Sequence, residues 1–181
     1  MPGTALLVMD FQHGIAERYP AEVIQRAAEA VTAARDAGIP VVFVRVAFRP
    51  GHPEISARNR TFAGLRDGAA MLEADAAIHP ALAPGPDEPV VTKRRVSAFA
   101  GSDLEVVLRA LEARSLVLAG IATSGVVLST LRQAADLDFE LTVLHDACAD
   151  ADPEVHRVLV DKVFPRQADV VDVATWSAAL R

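Results

Sequence analysis

Three places along the 181 residues carry groups suited to chemistry. Asp10 ends the apolar run Ala5-Leu-Leu-Val-Met9. A carboxylate at the C-terminal end of a buried strand lies where open α/β sheets bind ligands, and it can take or give a proton. An aspartate there also serves as an ordinary cap of the next turn. Lys93 ends the run Val90-Val-Thr92 and opens Lys93-Arg94-Arg95. A lysine beside a buried carboxylate holds it ionised and stabilises negative charge in a transition state. Three adjacent cations are equally the pattern of a solvated basic run. The third place is Gly120-Ile-Ala-Thr-Ser-Gly-Val-Val127, a turn of small residues after Leu116-Val-Leu-Ala119 and before Val127, Leu131, Ala134 and Ala135, which share one helix face. Strand, turn and helix in that order aim backbone N–H groups at a helix N-terminus, a site for an anion or a developing oxyanion. A plain βα connection has the same pattern.

The elements that must position these groups alternate. Short apolar runs at 5–9, 41–44, 90–92, 115–119, 141–144 and 170–173 read as buried strands. Helices are expected over 21–37, stopped by Gly38, from Ser102-Asp-Leu-Glu105 through a capping box, and over 126–137. Two more follow, one after Asp152-Pro153 and one over 175–180. The fold class is therefore α/β: a three-layer, doubly wound sheet of six parallel strands with helices on both faces, forming one domain over 1–181. Residues 49–89 differ, with six of the eleven prolines and no long apolar period. A connection of that length reads as a cover over the strand ends, with a helical turn around 67–74, or as a surface excursion.

Composition narrows the function. Half the residues are hydrophobic (51%), 23% are charged, and the net charge is −6, which argues against nucleic acid as a partner. No apolar run approaches a membrane span, and no signal-like segment opens the chain. The expectation is a cytoplasmic protein acting on a small molecule, with no cofactor and no metal. The single cysteine, Cys148, allows no disulfide within the chain and reads as core packing.

Several separated pieces together resemble the isochorismatase-like cysteine hydrolases: Leu6-Leu-Val-Met-Asp-Phe-Gln12, Ile78-His-Pro80, Lys93 with Ser97-Ala-Phe99 and Gly101, Gly120-Ile-Ala-Thr123, and Asp146-Ala147. The resemblance implies strand order 3-2-1-4-5-6, with Asp10 facing the turn 120–126 across the crevice. It implies that Asp10 is the general acid or base and Lys93 its charged partner. It also implies a cis peptide before Ala122, an oxyanion hole from the N–H groups of Ala122 and Val126, and a homo-oligomer. Gln12 and Phe99, inside the matching pieces, are expected in the substrate pocket.

The departures are as informative. The residue at the nucleophile's place is Val126, which has neither lone pair nor proton to offer. Ser124 is two residues early in the turn, and Ser129 nearly a helical turn late. The family's metal-binding members hold their ion with Asp-x-His after strand 2, where this chain has Val46 and Phe48, and His52 and His79 alone do not make that site. Its isochorismate-cleaving members carry a polar residue after strand 2, where this chain has Ala47. The functions left are a hydrolase working through Asp10 and Lys93 without a cysteine, a ligand-binding or regulatory protein that has lost chemistry, and a structural subunit.

Overall fold

The computed structural model describes residues 3–66, 68 and 70–180. Six strands form one sheet: β1 Thr4–Met9, β2 Val41–Val46, β3 Val90–Lys93, β4 Ser115–Ile121, β5 Glu140–Ala149 and β6 Asp169–Val171. Their order is β3-β2-β1-β4-β5-β6, and every neighbouring pair is parallel. The chain runs outward from β1 through β2 to β3, then returns to β4 beside β1 and runs the other way. The reversal opens a crevice between the carboxyl ends of β1 and β4.

Burial on both faces explains why the central strands are almost wholly apolar: all six residues of β1 are buried. One face is covered by α2 (Leu104–Ala110), α3 (Leu128–Asp136) and the segment through Phe164, with Leu104, Leu108, Leu131, Ala134 and Phe164 packed on the sheet. The other is covered by α1 (Ala21–Asp36) and a C-terminal helix, with Ile24, Ala27, Val31, Ala34 and Trp176 inward. Alanines at 27, 30 and 34 let α1 approach the sheet closely, and Gly38 ends the turn after it at φ 67°, a conformation that favours glycine.

Between these lie α4 (Pro153–Val158) and, at the end, α5 (Val173–Ala178). Asp152 caps α4 as its sequence predicts, its carboxylate accepting from the Glu154 amide at 2.9 Å. The capping box at 102–105 does not form. Ser102 Oγ accepts from the Leu104 amide at 3.3 Å and donates to the Ala98 carbonyl at 2.6 Å, so the serine serves the preceding loop and α2 starts two residues later. Strand β5 is longer than its apolar core, because its pairing with β4 shifts register between Leu118 and Gly120 and then resumes at Cys148 and Ala149.

The segment from 49 to 89 folds over the carboxyl edge. In place of one turn around 67–74 it has short 3₁₀ turns at Ala63–Leu65 and Glu73–Asp75, while Asp67 and Ala69 lie outside the described residues. A small apolar cluster of Val46, Phe48, Ile55 and Phe62 sits beneath it. Arg94 ties it down through hydrogen bonds to Glu73 and the Ala47 carbonyl and a 3.5 Å contact with Glu54. Arg95 adds a bond to the Glu54 carbonyl at 2.9 Å. The two arginines after Lys93 are therefore structural clamps rather than a solvated run.

Candidate active site

Asp10 is the first residue beyond β1, held at φ 62° in the left-handed region, which a short polar side chain tolerates better than a branched one. Its amide donates to the Val44 carbonyl at 2.8 Å, fixing it against β2. Lys93, the last residue of β3, extends past the end of the intervening β2 to meet it. Lys93 Nζ lies 2.9 Å from Asp10 Oδ2, and the two side chains are 2% and 8% exposed. Nζ also donates to the Arg95 carbonyl at 3.0 Å. Asp10 Oδ1 is buried without a hydrogen-bond partner among the described residues. Burial pushes the Asp10 carboxyl up to about 6, against the pull of the neighbouring ammonium. A carboxylate so placed is ready to exchange a proton near neutral pH.

Opposite stands the turn after β4. Its first peptide, Ile121–Ala122, is cis, as expected. The amides of Gly125 and Val127 both donate to the Ala122 carbonyl, at 3.1 and 3.3 Å. One wide helical turn, Thr123–Val127, then leads into α3. The loop carrying Val96 is pinned to α3, because the Ala98 amide donates to Thr130 Oγ1 at 2.9 Å and Ser97 Oγ to Gln133 at 2.7 Å.

These pieces enclose a pocket of about 300 Å³ lined by Asp10, Lys93, Ile121, Ala122 and Val126 from the sheet edge and turn. Thr61, Phe62 and Met71 enter it from the cover, and Ile15, Arg18 and Tyr19 from the segment after β1. Asp10, Lys93, Ala122 and Val126 thus converge as the sequence reading requires. Val46 lines the wall as well, and Phe48 is buried under the cover.

Two expected pocket residues lie elsewhere. Gln12 is stitched to the end of β2, its Nε2 donating to the Val46 carbonyl at 2.9 Å and its Oε1 accepting from the Val46 amide at 2.8 Å. Its side-chain amide acts as one more rung of the sheet. Phe99 belongs to the main core, its ring centroid 6.2 Å from that of Phe139, because the Ser97–Phe99 loop turns its aromatic away from the crevice. Arg18, Tyr19, Thr61 and Met71 were not singled out in the sequence. They come from irregular segments, where no periodicity shows which side chains face inward.

Among hydroxyls near the turn, Ser124 is exposed and its amide donates to Asp150 Oδ2 at 2.7 Å. Thr123 Oγ1 is buried, 2.8 Å from His156 Nδ1 on α4. Cys148 is buried in the core beside α3, and burial pushes its thiol up to about 12. A thiol that stays protonated and covered does not alkylate. Iodoacetamide is expected to leave the native protein unmodified and to label Cys148 only after denaturation. Intact-mass measurement checks this, and an adduct on the folded chain would show the thiol to be accessible.

The fold accords with what comparison with other proteins finds. The isochorismatase domain matches residues 4–175. The isochorismatase family protein YecD of Escherichia coli O157:H7 is 34% identical over 176 residues, which cover 94% of this chain and 92% of YecD. The ureidoacrylate amidohydrolase RutB of Stutzerimonas stutzeri (strain A1501) is 34% identical over 199 residues, covering 96% of this chain and 77% of RutB. The structure of an isochorismatase family protein from Burkholderia thailandensis superposes with a TM-score of 0.85 at 30% identity, covering 99% of this chain and 96% of that one. A domain match along nearly the whole chain, with a relative 34% identical over 94% of it, shows that the chain belongs to the isochorismatase family.

Proposed function

We propose that this protein is a hydrolase of a small amide, ester or vinyl ether that works without a cysteine nucleophile. The observation that supports this reading most is the buried pair itself: Asp10 keeps one oxygen on Lys93 at 2.9 Å and the other without a partner among the described residues, in a pocket scaled to a small molecule. A buried charge pair is costly to maintain.

For an amide or ester, Asp10 takes a proton from a water molecule as the water oxygen bonds to the acyl carbon. The electron pair of the C=O bond moves onto oxygen. Lys93 would take up that developing charge, with the amides of Ala122 and Val126 that the family resemblance assigns to an oxyanion hole. The tetrahedral adduct then collapses, the bond to the leaving nitrogen or oxygen breaks, and the leaving atom receives the proton held by Asp10. Lys93 keeps Asp10 ionised enough to start the cycle, while burial keeps it basic enough to take the proton.

The sign of the pH dependence follows. Asp10 must be ionised to act as base, and its carboxyl sits at about 6. The value of kcat/KM is expected to rise with pH through about 6 and then level. A profile flat from about pH 5 to 8 would remove Asp10 as the base.

A second reading has one observation in its favour: Val126, buried and apolar, fills the place where the family resemblance puts a nucleophile. A pocket that binds but does not turn over would show ligand affinity with no product from any activated ester, amide or vinyl ether. That panel separates the two readings.

A further inference from the structure

The turn after β4 is closed upon itself and is also fastened from behind. Ala122, Gly125 and Val126 line the pocket that holds Asp10 and Lys93. Thr123, between them, is wholly buried, and its Oγ1 lies 2.8 Å from Nδ1 of His156 on α4. His156 borders a different hollow, of about 490 Å³, together with His145, Arg157 and Asp161. The imidazole thus stands between that hollow and the back of the pocket turn.

The apolar core does not account for His156. None of the six residues of α4 is buried, and none joins the two main apolar clusters among the described residues. The helix is set by its Asp152 cap and Pro153, while His156 reaches in to the turn. Next to Thr123, the Ser124 amide donates to Asp150 Oδ2, so the segment after β5 holds the turn at two consecutive residues. Burial, and after it the neighbouring His145, keeps His156 below the ordinary histidine range against the pull of Asp150 and Asp161. The ring is therefore neutral at neutral pH. A neutral imidazole has one donor and one acceptor nitrogen, and a hydroxyl can pair with Nδ1 in either tautomer.

We infer that His156 is a positioning residue: through Thr123 it sets the turn whose Ala122, Gly125 and Val126 form one wall of the active-site pocket. The inference rests on the hydrolase reading, in which that turn meets the charge developing in the transition state. His156 itself touches no reacting group. Thr123 adjoins Ala122 in the chain, and the Ala122 carbonyl accepts from the Gly125 and Val127 amides, so a shift at Thr123 passes to both. A catalytic group displaced by about 1 Å costs about 10²-fold in rate, so a bond made behind the pocket governs kcat.

The test compares Thr123→Val, which keeps the shape and removes the hydroxyl, with His156→Leu, His156→Gln and His156→Asn. The asparagine amide stands where Nδ1 does, and the glutamine amide nearer Nε2. On the best substrate of the ester, amide and vinyl ether panel, kcat is expected to fall about tenfold or more in Thr123→Val, His156→Leu and His156→Gln, with KM within about twofold. His156→Asn should stay within about threefold of wild type, because it restores the bond without the ring. Amide exchange followed by NMR at Gly125 and Val127 should speed up about tenfold in the same three variants, while amides of β1, which report global unfolding, stay slow. Thr123→Val carries the test where His156→Leu fails to fold. A kcat of Thr123→Val within about twofold of wild type, a loss confined to KM, or His156→Asn as impaired as His156→Leu would overturn the inference and leave the hydrolase reading standing. If wild type turns over no member of the panel, the hydrolase reading falls and exchange alone decides. Unchanged protection of Gly125 and Val127 in Thr123→Val then overturns the inference, and faster exchange there supports it.

Discussion

Asp10→Asn is expected to lower turnover by about 10²–10⁴-fold, the usual contribution of a general acid–base group. The amide has the same shape and can still accept a hydrogen bond from Lys93 Nζ, so the 2.9 Å contact can persist. What disappears is the ability to take the proton from water and return it to the leaving group. The loss should fall mainly on kcat, because proton transfer belongs to the transition state and not to ground-state binding. Initial rates on the best substrate of the ester, amide and vinyl ether panel would measure it, with circular dichroism to establish folding. A variant that keeps more than about a tenth of the wild-type rate would remove Asp10 from the chemistry.

Lys93→Met is expected to damage the fold as well as the site. Lys93 is among the largest fully buried side chains, and methionine fills nearly its volume while leaving Asp10 without its counter-charge. Breaking a buried pair from one side costs about 3–5 kcal/mol, which for a domain of this length corresponds to a fall in Tm of roughly 10 °C. The cost depends on pH with a definite sign. Burial already raises the Asp10 carboxyl to about 6, and removing the lysine removes what holds it down, so it rises further. A group whose folded pKa is raised contributes stability at low pH and loses it as pH rises through the folded value. The difference between variant and wild type should therefore be small near pH 5 and grow above about pH 6. Asp10→Asn/Lys93→Met, which buries no unpaired charge, should recover much of the loss. Denaturant unfolding of the four proteins at several pH values tests this. A deficit independent of pH would mean that Lys93 acts through packing alone.

The sequence reading reached the sheet because β1, β2 and β4 must be apolar on both faces, and a run such as Leu6-Leu-Val-Met9 has few other uses. It reached Asp10 and Lys93 because charged residues at strand ends stand out against such runs. It reached the cis bond at Ala122 and the order of the strands only through family resemblance, since neither leaves a trace in periodicity. It failed where contacts are made between irregular segments. Arg18 and Tyr19 lie in a turn whose direction depends on how Gln12 is clipped to Val46, a non-local bond. Thr61 and Met71 are placed by a cover whose anchors, Arg94 to Glu54 and Glu73, span 40 and 21 positions of sequence. Phe99 was misplaced because an aromatic beside a motif looks the same whether it faces the ligand or the core.

Val126 is buried in the main core and at the same time forms part of the pocket wall. Cysteine behaves in a core as a small hydrophobe, so at this position a thiol and an isopropyl group are near-equivalents for packing. The scaffold is then indifferent to a substitution that decides whether a covalent route exists. The strands that set Asp10 and Lys93, the turn at 122–127 and the cover do not depend on it. Exchange of valine and cysteine at this one position adds or removes a nucleophile while leaving the packing of the sheet and the cover nearly unchanged.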